Sequence, residues 1–436
     1  NIILDFTGTG PWSYSINGLP LVSTMNSHEV IPVNPSDTTT YLITSFSDAN
    51  CNGIAWSKIA AGSEHSLAIR ADGTLWAWGR NDYGQLGIGN NTHSNIAVQV
   101  GTANNWVNIA ASVISSYAIK ADGTLWAWGG NSNGRLGLGD LLNRNLPEQV
   151  GTSNDWKEIS SISGHSLAMK TDGTLWAWGD NSFGMLGDGT TIGKKNPVQI
   201  GTSTDWKEIS AGGSHSMAMK ADGKIFTWGN NDFGQTGNGS SSLVPVQLSG
   251  GNQWVSISAG DAASMAIKSD GSLYVWGENG LGQLGAGNYT NINSPFQLSG
   301  ASDWAKVSVS STHTLGLKTN GTLWAWGYNL FGAFGNGTNA GSNVPVQVGT
   351  ESDWSDISLG AYYSMALKKN GSLVSFGYNN YGQLADGTNT EKHVPVQPLL
   401  NVGSTTVIVL PLPVVSFTGL ANTYCVSAQP VSLTGI

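Results

Sequence analysis

The chain has 436 residues, 39% of them hydrophobic and 11% charged, and its 28 acidic against 19 basic side chains give a formal charge of −9. That balance, with a pI near 5.1, withholds the broad basic surface that phosphate-backbone binding needs, so nucleic acid is not an expected partner. Fifty-nine glycines accompanied by 18 tryptophans mark a folded, turn-rich protein rather than a disordered one.

Asn1 opens the chain without an initiator methionine or a signal peptide, as a mature or trimmed product does. Residues 1–53 form a first segment that carries DFTGTGPWSYSING and TTTYLITSFSDANC and ends near Cys51. The other cysteine, Cys425, lies in the last segment. Pairing of the two and separate or free thiols both stay open, because connectivity needs geometry.

From Trp56 a unit of about fifty residues begins and recurs, its opening tryptophans being Trp56, Trp106, Trp156, Trp206, Trp254, Trp304 and Trp354. Inside each unit comes a second signature: WAWGRNDYGQLG, WAWGGNSNGRLG, WAWGDNSFGMLG, FTWGNNDFGQTG, YVWGENGLGQLG, WAWGYNLFGAFG and VSFGYNNYGQLA. In the third copy WKEISSIS reads as a first strand, HSLAMK as a second, TLWAWG as a third and NPVQI as a fourth, with Gly- and Asn-rich turns between them. Four short strands repeated seven times predict an all-β, seven-bladed β-propeller over residues 54–400.

The Asp-Gly and Asn-Gly pairs between second and third strands read as hairpin turns supplying positive φ, not as calcium loops, which need spaced oxygen ligands. LWAWG and SLAMK are apolar on both faces, as expected for sheets sandwiched between neighbours, so Trp76, Trp78, Trp126, Trp128, Trp176, Trp178, Trp324 and Trp326 are assigned to the inter-blade core. Each second strand ends in a cation (Arg70, Lys120, Lys170, Lys220, Lys268, Lys318, Lys368), and the Asp two residues later in five copies is expected to neutralise it. Strand alternation puts the loops after strands one and three on one face, and the long, variable loops from Gly79, Gly129, Gly179, Gly229, Gly277, Gly327 and Gly377 belong there.

On those loops Asn81, Asn131, Asn181, Asn231, Asn279, Asn329 and Asn379 repeat without change, which suits a backbone-capping device. Two residues on come Tyr83, Asn133, Phe183, Phe233, Leu281, Phe331 and Tyr381, varied but mostly aromatic. Tyr83, Phe183, Phe233, Phe331 and Tyr381, enlarged by Arg80, Tyr328 and Tyr378, form the candidate interaction face; the other reading is that each ring packs on the adjacent blade. His65, His165, His215 and His313 recur at one position and read as structural rather than metal-ligating. No nucleophile elbow, HExxH, phosphate loop or isolated carboxylate pair stands out, so neither catalytic residues nor a cofactor or metal are assigned and the chain is read as non-enzymatic. The final segment, 401–436, reads as a linker and the start of a further domain; its VIVLPLPVV from Val407 is too short and too proline-broken to span a bilayer, so no membrane insertion is expected.

The union of W-G-x-N-x-x-G-Q-L-G with G-x-x-H-S-x-A and D-G-T-L-W resembles the regulator of chromosome condensation repeat family, across about Trp56 to Val396. The resemblance implies a propeller, and functions spread over guanine-nucleotide exchange factors for a small GTPase and secreted bacterial propellers that inhibit β-lactamases through an aromatic-rich face. The even spacing leaves no room for the β-wedge insertion that exchange implies, and the uniform-repeat, secreted bacterial branch is the more similar. Residues 1–53 resemble the end of an immunoglobulin-like β-sandwich domain, and VVSFTGLANTYCVSAQPVSLTGI from Val414 the beginning of a second, as in long bacterial surface proteins exported by type IX secretion.

These observations set the functional expectation. The chain is a protein-interaction or spacer module of an extracellular or cell-surface multidomain protein, its partner being another protein or neighbouring domains of the same long chain. Glycan binding by the long-loop face is the alternative, and exchange or enzyme inhibition a further one.

Overall fold

The computed structural model describes residues 55–298 and 300–400, together with the strand segments 2–5, 12–16, 22–24, 28–31, 39–47, 405–409 and 415–417. Two compact units emerge, Trp56–Pro398 and the combined flanks Asn1–Ala55 with Leu399–Ile436.

Trp56–Pro398 is a ring of seven four-stranded antiparallel sheets, each in plain sequence order. The first blade comprises Trp56–Ala61, His65–Arg70, Leu75–Gly79 and Ser94–Gln99, and the seventh Trp354–Leu359, Tyr363–Lys368, Leu373–Gly377 and Lys392–Val396. First strands touch first strands around the whole ring, Trp354–Leu359 meeting Trp56–Ala61, so they surround the axis while the fourth strands form the rim. Every blade is thus one contiguous stretch of chain, and no strand is exchanged to close the circle.

The doubly apolar strands behave as their composition requires. Second and third strands are buried almost throughout, and Trp78, Trp128, Trp178, Trp228, Trp276 and Trp326 are completely enclosed between blades. Trp126, Trp176 and Trp324 are only partly buried, and each stacks edge-on against the opening tryptophan of its own blade, as in Trp156–Trp176 at 5.8 Å.

The cations at the ends of the second strands are attracted by the Asp two residues on in the copies that carry one, as expected, but in three blades the close ion pair is made elsewhere. Lys170 Nζ lies 4.9 Å and 4.7 Å from the rings of Trp156 and Trp176 and pairs with Asp155 at 3.0 Å, not with Asp172. Lys220 with Asp205 and Lys318 with Asp303 repeat the arrangement. The stacked rings steer the lysine stem toward the residue preceding the opening tryptophan, whereas Asp172 is committed to Thr174, accepting from its N–H at 2.9 Å and its hydroxyl at 2.7 Å.

The hairpins also depart from a turn with positive φ at both central residues. Gly73 has φ +79°, but Asp72 and its counterparts do not enter that region; among the described residues only Asn133 and Ala385 do so without being glycine. Gly73 N–H bonds Arg70 O at 2.9 Å and Arg70 N–H bonds Thr74 O at 3.0 Å, which is a turn closed by a glycine bulge.

A repeated set of hydrogen bonds joins each blade to the next. Gln85 O accepts from Trp128 Nε1 at 2.9 Å and from Ser116 Oγ at 2.7 Å, and His65 Nε2 lies 2.9 Å from the same Ser116 Oγ. At closure Gln383 O takes Trp78 Nε1 at 2.8 Å and Ser66 Oγ at 3.0 Å. Tyr363, occupying the histidine position of the seventh blade, donates its hydroxyl to His65 O at 2.6 Å.

In the flanks, Ile2–Asp5 pairs antiparallel with His28–Ile31 and parallel with Val415–Phe417, while Thr39–Ser47 pairs with Trp12–Ile16 and with Thr405–Val409. Strands from both ends of the chain therefore share the same two sheets. Much of the sequence that suggested immunoglobulin-like segments, and both Cys51 and Cys425, lie outside the described residues.

Two stability outcomes follow from this geometry. A Cβ on Gly73 would stand 2.1 Å from Asn104 O, whereas one on Gly101, also left-handed at φ +61°, would meet nothing within 4 Å. Gly101→Ala should cost about 1–2 kcal/mol through the left-handed backbone alone, and Gly73→Ala clearly more, in urea denaturation; equal costs would refute the steric account. Tyr363→Phe should lower stability by about 1–3 kcal/mol, because the hydroxyl's buried hydrogen bonds to His65 O and Ser66 Oγ at the closure are lost.

Candidate functional site

The long loops are held open by their invariant asparagines. Asn81 is fully buried; its Oδ1 accepts from Leu86 N–H at 2.9 Å, and its Nδ2 donates to Asn90 O at 2.9 Å and Thr92 O at 3.0 Å. Asn279 and Asn379 make the corresponding bonds in their blades. The side chain replaces a local backbone network, leaving neighbouring positions free to vary on a fixed scaffold.

The variable rings fall into four situations. Phe183 and Phe233 stand exposed, at 50% and 42%, and among the described residues neither makes a ring contact. Tyr381 packs on the adjacent blade: the Arg80 guanidinium lies 5.0 Å from its ring, and His93 meets it edge-on at 5.2 Å. Arg80 is itself bound by Glu64 at 2.6 Å and Asp82 at 2.5 Å, which hold it charged.

The third situation is a cluster. Phe331 lies 6.4 Å from Tyr328 and 5.1 Å from Tyr378, and Tyr362 completes the group at 5.4 Å from Phe331, 6.1 Å from Tyr328 and 6.4 Å from Tyr378. All contacts are edge-to-face, the arrangement that ring quadrupoles favour. Tyr362 remains 38% exposed, and Leu330, which precedes Phe331 in the chain, 50%. The patch spans loops of the sixth and seventh blades, and none of its four rings carries a charge. Tyr362 was not among the sequence-derived candidates, although the loop after the first strand had been placed on this face and Glu64, Ile114, Gly164, Ser214, Ala262 and Thr312 show its position to be variable. Tyr83, 38% exposed, stands apart at the seam of the first and second blades.

The recurrent histidines are spent on the scaffold. His65, His165, His215 and His313 are fully buried, each with Nε2 at 2.8–2.9 Å from a hydroxyl of the next blade. Because Ser116 gives its own proton to Gln85 O, the imidazole is the donor in this pair. Burial pulls their pKa values down to about 3 for His65, His215 and His313 and about 4 for His165. Among the described residues no group of three or more His, Cys, Asp or Glu side chains is placed to hold a metal ion.

Around the axis, the third residue of each first strand gives a mixed ring: Lys58, Asn108, Glu158, Glu208, Ser256, Lys306 and Asp356. Lys306 pairs with Asp356, and Glu208 Oε1 accepts from Ile257 N–H at 3.1 Å. Burial, reinforced by the neighbouring Glu208 carboxylate, pushes Glu158 up to about 7.

Comparison with known proteins places this geometry. The profile of the regulator of chromosome condensation (RCC1) repeat matches residues 72–119, 122–169 and 172–219, a second profile of that repeat matches 56–85 and 157–184, and the RCC1-like domain matches 197–410. Among curated relatives, the X-linked retinitis pigmentosa GTPase regulator homolog of Caenorhabditis elegans is 39% identical over 46 residues, 11% of this chain and 3% of that protein. The ultraviolet-B receptor UVR8 of Arabidopsis thaliana is 46% identical over 44 residues, 10% of each. These matches therefore span a small part of either relative. Among solved structures, human WBSCR16 aligns with a TM-score of 0.68 at 20% identity, covering 76% of this chain and 94% of that one. Yeast RCC1 (Prp20), solved bound to Kap60, aligns with a TM-score of 0.65 at 24% identity, covering 71% and 79%. Both likenesses show the fold.

The buried imidazoles set a pH dependence. Each is neutral when folded and takes a proton when unfolded below about 6.5, so its contribution is complete above that value and lost as pH falls toward 3–4. His215→Ala, which creates the residue that the fifth blade carries naturally at Ala263, should reduce the slope of stability against pH between 6 and 4 by up to about 1.4 kcal/mol per pH unit. An unchanged slope in urea denaturation would contradict the assignment.

Proposed function

We propose, from the premise that this chain is a seven-bladed propeller of the regulator of chromosome condensation repeat family, that it is a non-enzymatic recognition module whose sixth and seventh blades hold a protein partner. The observation that carries this reading is the cluster of Tyr328, Phe331, Tyr362 and Tyr378. Mutual edge contacts fix the rings before binding, so little side-chain entropy remains to be lost, and rigid aromatic anchors of this kind supply most of the energy at protein interfaces. A seven-fold scaffold has no structural need for such a group on two blades alone.

The module belongs, in this reading, to an extracellular or surface-attached multidomain protein of the secreted bacterial branch, with adhesion or passage through a type IX secretion system as its setting. The low content of charged residues, 11%, and the immunoglobulin-like resemblance of the flanks support that setting. Protein binding is also what the yeast relative does in its complex with Kap60. Guanine-nucleotide exchange fits less well, because the repeats run at near-constant spacing without a wedge-sized insertion. Glycan recognition is favoured by a separate feature, the cleft beside Tyr83.

The test is capture from a native surface extract by the full chain and two double variants. Phe331→Ala/Tyr362→Ala should lose the partner, with affinity down about 30-fold or more for the loss of two anchors. Phe183→Ala/Phe233→Ala, which removes isolated rings from the same face, should retain it. Equal capture by both folded variants would sink the assignment to the sixth and seventh blades.

A further inference from the structure

At the outer margin of the long-loop face, between the first and second blades, lies a cleft of about 420 Å³ lined by Tyr83, Asn91, Asn143, Arg144, Asn145 and Glu148, among others. Its volume falls in the range of small-molecule sites, about 300–1,000 Å³. Close approach of the two blades builds it. Gly84 sits so near the fourth strand of the second blade that a Cβ would stand 2.5 Å from Asn145 Cα, which brings Tyr83 alongside Asn145. Gln85 Oε1 accepts from Tyr83 N–H at 2.9 Å and fixes the backbone under the ring.

The chemistry of the lining selects a ligand class. Arg144 gives Nη2 to Asp140 at 2.7 Å, Nη1 to Leu142 O at 2.7 Å and Nε to Glu148, so its plane is rigid and its charge is more than balanced by two carboxylates. Phosphate, sulfate or carboxylate ligands gain nothing there. Asn143 Oδ1 is occupied by Asn131 N–H at 2.9 Å, which leaves its amide NH2 without a partner among the described residues, and the Asn145 amide makes no bond among them either. One half-exposed phenol ring, amide groups with unused hydrogen-bonding capacity and a carboxylate oxygen converge on an open space with no net positive charge.

The other seams lack this set. Where Tyr83 faces Arg144 and Asn145, the corresponding pairs are Asn133 with Lys194 and Lys195, Phe183 with Ser242 and Leu243, Phe233 with Ile292 and Asn293, Leu281 with Ser342 and Asn343, Phe331 with Lys392 and His393, and Tyr381 with Ser94 and Asn95. The feature therefore departs from the repeat.

We infer that this cleft binds an uncharged pyranose ring of a glycan. The apolar face of the sugar lies on Tyr83, its hydroxyls take hydrogen bonds from the Asn143 and Asn145 amides and give them to Glu148, and the anchored Arg144 shapes the wall. This site is independent of the aromatic cluster on the sixth and seventh blades, and a module carrying both would engage a glycosylated surface at two points.

The experiment is saturation-transfer NMR on the full 436-residue chain with the methyl glycosides of glucose, galactose, mannose and N-acetylglucosamine, each at millimolar concentration. At least one should receive saturation on its ring protons. That signal should fall at least tenfold in Tyr83→Ala and in Asn145→Ala, persist in Tyr83→Phe and in Phe331→Ala/Tyr362→Ala, and resist added inorganic phosphate. No transfer to any of the four glycosides would overturn the inference. So would transfer that survives Tyr83→Ala, vanishes with Phe331→Ala/Tyr362→Ala, or is displaced by phosphate. A thermal melt of each variant is the control that its ring remains folded, so that a lost signal reports on the cleft.

Discussion

The carbonyl oxygen of the residue that follows the G-x-N-x-x-G segment of each long loop, Gln85 in the first blade and Ala333 in the sixth, is the point on which the propeller turns. It belongs to one blade and receives two protons from the next, an indole N–H and a serine or threonine hydroxyl, as Gln283 O does from Trp326 and Thr314. Several features of the repeat follow from it. The third-strand residue must be a tryptophan to reach that oxygen from within an apolar interface, and Gly87 must lack a side chain because a Cβ there would stand 2.7 Å from Trp128 Nε1. The hydroxyl residue follows the histidine directly, so that the previous blade's imidazole can bond it from the other side. In the sixth-to-seventh junction Phe376 replaces the tryptophan and one donor is lost, but Ser364 still gives its proton to Ala333 O at 2.7 Å.

Much of this was legible in the sequence because the period is nearly constant and each strand is doubly apolar. The four strands of each blade, their burial, the sharing of one face by the long loops and the asparagine device were all readable from spacing and residue type. What spacing could not convey was which neighbour a side chain meets. Lys170 finds Asp155 rather than Asp172 because two indole rings decide the path of its stem, a tertiary effect. The hairpin turned out to need one left-handed residue, since the bulge at Gly73 does the work assigned to two. Tyr362 escaped notice because it precedes a conspicuous signature position, and its significance lies in rings contributed by another blade.

The candidate sites share a logic. Buried asparagines and inter-blade bonds are repeated with little change, and they fix the backbone so firmly that the residues between them need not contribute to folding. Departures from the repeat on the exposed face are then free to serve binding. Tyr83, Arg144, Phe331 and Tyr362 are of this kind: other blades carry residues as different as Asn133, Ser94, Leu281 and Gly164 at their positions.

The absence of strand exchange between the first and last blades bears on how the molecule is made. Synthesis at about 5–20 residues per second delivers a fifty-residue repeat roughly every 3 to 10 seconds. Each repeat contains all four strands of its own sheet, so a nascent chain can complete one blade and dock it on the last while the remainder is still being synthesised. The contacts that the seventh blade makes with the first, among them those of Tyr363, Gln383, Tyr381 and Ser358, must wait for the final repeat. The partly built arc exposes one unfinished apolar face at its growing end and one at its start, and the time for which the starting face stays uncovered is set by the number of repeats rather than by any search among distant strands.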